Sequence, residues 1–89
     1  MNEPARPARI TARIEAVLID SDGGRLGVVV TDLSASGFGL ETTETLVVGE
    51  RIGLDVSRYG VFKGQIRWVR GLTAGGVFLE PVQLSEGAA

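Results

Sequence analysis

Apolar and polar positions along this chain follow a period of two far more than a helical period. Over residues 61–70, Phe62, Gly64, Ile66 and Trp68 fall on one face against Lys63, Gln65 and Arg67 on the other. That alternation predicts a half-buried β-strand with Phe62 and Trp68 in the core. Residues 51–56, Arg-Ile-Gly-Leu-Asp-Val, alternate in the same way. Ile-Glu-Ala-Val-Leu-Ile over 14–19 is apolar and partly β-branched, and it stops at Asp20-Ser21-Asp22-Gly23-Gly24, a strong turn signal that predicts a hairpin. The returning strand is predicted over 25–33, with Val28, Val29 and Val30 favouring a pleated backbone. A polar turn at 34–37 then leads into a third strand over 38–42.

Residues 43–50 read as a loop and 57–60 as a turn. Gly71-Leu72-Thr73-Ala74-Gly75-Gly76 reads as another turn, followed by a last strand over 77–80 that Pro81 ends. Six short strands, frequent turn signals and 13 glycines predict an all-β domain closed into a six-stranded antiparallel β-barrel over 14–82. Residues 1–13 are predicted to be a flexible arm, because their first eight members lack the large apolar side chains needed to offset the entropy of ordering. Arginines at 6, 9 and 13 concentrate positive charge there. Residues 83–89 form a short tail.

Composition narrows the chemistry. The 89 residues contain neither cysteine nor histidine, which removes disulfides, thiolate metal sites, the usual general base and the commonest metal ligand. Glu15, Glu41, Asp55 and Glu80 are scattered over separate strands, with no pair obliged to converge as an acid and base; their expected role is solubility. An enzyme is therefore not expected. Nine cations against eleven anions and only five aromatic residues argue against a single-stranded nucleic-acid binder. Eight of the nine cations are arginines. A guanidinium binds phosphate or a guanine edge bidentately and stacks on a base, which an ammonium does not. No apolar run approaches membrane-spanning length and the amino terminus lacks a signal-peptide core, so membrane insertion is not expected and the predicted location is cytoplasmic.

Two features can form one site. Arg9 and Arg13 lie on the arm, while Asp32, Ser34 and Gly37 lie where the second strand runs into the third. In extended backbone Asp32 and Ser34 share a face and Leu33 takes the other. Within the first hairpin, the start of one strand and the end of the next lie at the same end of the sheet, which predicts Arg13 near Asp32. A ligand carrying phosphates and a purine suits this set: arginines on phosphate and base, Asp32 accepting from guanine N–H groups, Ser34 beside it. The plainer alternatives are a solvated arm and a turn whose side-chain oxygens cap backbone amides. Gly37 serves either a positive φ or a close approach by another group.

These residues resemble the PilZ domain, a bacterial receptor for the second messenger cyclic di-GMP. Arg9-Ile10-Thr11-Ala12-Arg13 is similar to the family's RxxxR motif and Asp32-Leu33-Ser34-Ala35-Ser36-Gly37 to its (D/N)xSxxG motif. Gly49 after the loop, Ile66-Arg67-Trp68 in the long strand, and Gly75 followed by Phe78 extend the resemblance over most of the chain. It implies a six-stranded antiparallel barrel in which Arg9 and Arg13 wrap phosphates and stack on guanines, Asp32 and Ser34 bond a guanine, and Gly37 shapes the turn. It also implies a signalling role with cyclic di-GMP as ligand, no other cofactor, and an effector protein as partner. The competing implication is a PilZ-like adaptor that binds no nucleotide.

Overall fold

The computed structural model describes residues 9–10 and 13–80. It contains β1 (Arg9–Ile10), β2 (Ile14–Ile19), β3 (Arg25–Ser34), β4 (Gly37–Glu41), β5 (Arg51–Val56), β6 (Gly60–Arg70) and β7 (Thr73–Phe78). β3, β2, β5, β6, β7 and β4 pair antiparallel in that order, and β4 returns to β3. The six strands therefore close into a barrel, which removes exposed sheet edges. β1 lies against β3 with Arg9 opposite Ser34 and Ile10 opposite Leu33, beyond the stretch where β2 pairs β3 from Ile14–Val30 to Ile19–Arg25.

The first hairpin shows how local chemistry sets the topology. Asp20 Oδ1 accepts from the backbone N–H groups of Asp22 and Gly24, each at 2.8 Å. Gly23, at φ 90°, takes the left-handed position that a side chain would make costly. β2 and β5 coincide with the strands predicted over 14–19 and 51–56, and their even-numbered residues point inward. Leu18, Val30, Leu33, Leu40, Leu54, Val56 and Ile66, contributed by β2 to β6, are fully buried. Each such side chain contributes about 1.5 to 3 kcal/mol by leaving water. Phe78 completes one end of this core, with ring centroids 5.3 Å from Phe38 and 5.4 Å from Phe62.

Two bulges bend the wall and change which residues face in. On β3 the register shifts between Val30 and Asp32; on β6 it shifts between Ile66 and Trp68. An extra residue in one strand inverts its alternation beyond that point. Trp68, predicted to be core, is consequently turned outward and is 46% exposed, while Ile66 remains fully buried. Gly75 and Gly76 do not form the predicted turn. They lie inside β7, because a Cβ on Gly75 would run into the Trp68 indole and one on Gly76 into the Gln65 carbonyl and the Phe38 ring. Close approach, not turn formation, requires glycine at these two positions.

Candidate functional site

The bulge in β3 decides how the Asp32–Gly37 segment is presented. With Thr31 absorbed by the shift, Leu33 enters the core and Asp32 and Ser34 stay half-buried on the outer face. Asp32 is opposite Gly39 on β4, Gly39 is opposite Gly75 on β7, and Gly75 is opposite Trp68 on β6. A row across four strands thus runs from a carboxylate, over two residues with no side chain, to an indole lying on Gly75. Sequence alternation assigned Trp68 to the interior; the small residues at 39 and 75 were the signal that something packs across the outside.

Ser34 also shapes the turn. Its Oγ accepts from the N–H of Gly37 at 3.2 Å and of Ser36 at 3.3 Å. This is the amide-capping geometry, which stabilises the reversal between β3 and β4. Gly37 does not adopt a positive φ. Its role is close approach: an ideal Cβ there would sit 2.5 Å from the carbonyl oxygen of Gly76 on the neighbouring strand. The Ser36 carbonyl accepts from Phe78 N–H at 3.0 Å, which ties the turn to the end of β7.

Arg9 reaches this region through the backbone register that sets it opposite Ser34. Residues 11–12 of the arginine motif lie outside the described residues. Arg13, at the entry to β2, directs its guanidinium to Glu41 on β4: Nη1 donates to Oε2 at 3.0 Å and Nη2 to Oε1 at 2.7 Å. Hydrogen bonding to Arg13 holds the Glu41 carboxyl below its ordinary range, and the same contact raises the Arg13 pKa. Glu41, expected to be a lone solubilising carboxylate, is therefore the partner of a motif arginine. The hairpin register foreshadows it: Glu41 lies opposite Val29, two residues beyond the Gly39 that faces Asp32.

An open cleft of about 930 Å³ is lined by Arg13, Ile14, Glu15, Arg58 and Tyr59 among others. It forms where β5 ends at Val56, so that the first residues of β2 have no strand beside them on that edge. Asp32, Ser34 and Gly37 do not line it, whereas Arg13 does. Among the described residues no three His, Cys, Asp or Glu side chains converge as a metal site, and no helix is long and apolar enough to cross a membrane.

The outer barrel face thus carries a carboxylate, a hydroxyl-capped turn and an exposed indole, with Arg13 held by Glu41 and the backbone of Arg9 in register opposite Ser34. The chain belongs to the PilZ domain family, whose model matches residues 4–87. PilZ domains are known as receptor domains for cyclic di-GMP. In three dimensions the chain is similar to the crystal structure of the PilZ domain of CeSA from a cellulose-synthesizing bacterium. The TM-score is 0.68 and the sequence identity 18%, with 82% of this chain and 81% of that one covered. No functionally curated protein shows significant sequence similarity to this chain.

Proposed function

We propose that this domain is a non-catalytic receptor that binds cyclic di-GMP reversibly in the cytoplasm and relays its level to a partner protein. The observation that supports this reading is that both family motifs are present and that the backbone of Arg9, in the first, pairs opposite Ser34, in the second. Arg9 and Arg13 supply bidentate donors for phosphate and planar cations for guanine, while Asp32 accepts from guanine N–H groups. Ser34 and Gly37 hold the turn that presents Asp32. Trp68, at the far end of the same row, offers an apolar plane at the rim of that surface. Movement of the segment that carries Arg9 and Arg13 onto the ligand would change the surface offered to the partner and so transmit the signal.

Arg13→Ala and Asp32→Ala test the assignment. Each is expected to weaken binding at least tenfold, the order of one charged hydrogen bond, in a protein that still folds. Unimpaired binding in both variants would overturn the site. A second reading, an adaptor that binds no nucleotide, draws on the occupied state of two motif residues: Arg13 is engaged by Glu41 and Ser34 by turn amides. A folded protein that captures its partner equally with and without cyclic di-GMP would establish that alternative.

A further inference from the structure

We propose that Glu41 competes with the anionic ligand for Arg13 and thereby sets the ligand concentration at which the domain responds. This rests on the nucleotide-binding reading, since it concerns the same arginine. The carboxylate meets Arg13 end-on, with both terminal nitrogens donating, at 3.0 and 2.7 Å. That is the edge with which a guanidinium grips a phosphodiester bidentately, and one edge does not serve two anions at once. A phosphate brought to the same nitrogens would also stand beside the Glu41 charge and be repelled by it.

The backbone that carries Glu41 is fixed more firmly than the backbone that carries Arg13. Glu41 ends β4 with strands on both sides, opposite Val29 on β3 and Thr73 on β7. Arg13 sits just before β2, and its side chain is 66% exposed. Ligand binding therefore draws the arginine away from an acceptor carried on a strand paired on both sides. Because the pair is exposed to solvent, its exchange is cheap and its effect on affinity is graded: exposed ion pairs of this kind are worth roughly a two- to fivefold change in an equilibrium constant. Glu41 acts here as a positioning residue, holding Arg13 off the ligand in the free domain.

Glu15 provides the control. It lies opposite Val29 on the outer face and lines the cleft beside Arg13, yet the fork on Arg13 is made by Glu41. Calorimetric titration of the full chain with cyclic di-GMP should show Glu41→Gln binding about two- to fivefold more tightly than the unsubstituted protein. Glu15→Gln, which removes the same charge, should change affinity by a smaller factor, with thermal melts verifying that both variants fold. Weaker or unchanged binding by Glu41→Gln would overturn the competition, and weaker binding would make the pair a preorganising contact. Equal gains in both variants would also overturn it, by reducing the effect to net charge. Absence of binding by the unsubstituted protein would instead remove the nucleotide reading, and this inference with it.

Discussion

Gly37→Ala isolates what the last residue of the Asp32–Gly37 segment does. The ideal Cβ would lie 2.5 Å from the Gly76 carbonyl oxygen, so the two strands must part by about 0.9 Å to restore an ordinary 3.4 Å contact. β7 has little room to retreat. Gly76 is already pressed between the Gln65 carbonyl and the Phe38 ring, and Phe38 belongs to the core. Overpacking of this kind costs about 1 to 3 kcal/mol. In a domain of this size each kilocalorie lowers the melting temperature by about 4 to 8 °C, so the variant should melt about 4 to 24 °C lower. Circular dichroism through a thermal ramp measures it. Gly27→Ala is the matched control on the same sheet, since a Cβ there meets nothing within 4 Å, and it should leave the transition where it was or raise it slightly. A Gly37→Ala protein melting within a degree of the parent would refute the backbone-approach account and return Gly37 to a role in contacting ligand.

Leu54→Ala removes a side chain with no solvent exposure from the centre of β5, and urea denaturation should show a loss of about 2 to 5 kcal/mol. Asp20→Ala strips the first hairpin of two amide acceptances at 2.8 Å and should cost about 1 to 2 kcal/mol by the same measurement, with no effect on ligand affinity. The Arg13–Glu41 pair gives a pH signature. Because the folded-state pKa of Glu41 lies below the ordinary 4.5, its stabilising contribution is present above that value and is lost as pH falls through the lower folded one. Carboxyl carbon NMR should place the Glu41 midpoint below 4.5, and Arg13→Ala should return it upward; a midpoint unaffected by Arg13→Ala would contradict the pair.

How much was legible in the sequence depended on whether a residue's role is set by its neighbours in the chain or by strands far from it. β2 and β5 were readable to the residue, because β5 alternates without interruption and β2 is an apolar, partly β-branched run closed by the turn chemistry of Asp20 to Gly24. Trp68 was not. Its direction depends on the bulge beside Ile66, which arises from matching β6 to β7 around a closed barrel. Gly75 and Gly76 look like a turn in one dimension and prove to be strand residues squeezed by neighbours on both faces. β1 is too short to carry a pattern, and only its register against Ser34 defines it. For the site, the two motifs were visible by residue type and spacing. The partner of Arg13 was not, since Glu41 lies 28 positions away on a strand brought near by the β3–β4 register.

The most direct test of the account is calorimetric titration of the purified chain with cyclic di-GMP at moderate salt, with GTP as the control. Saturable binding of the cyclic dinucleotide, with GTP giving none, is the predicted result. A folded protein that yields no heat with either nucleotide would contradict the receptor function and leave the barrel as a protein-interaction module.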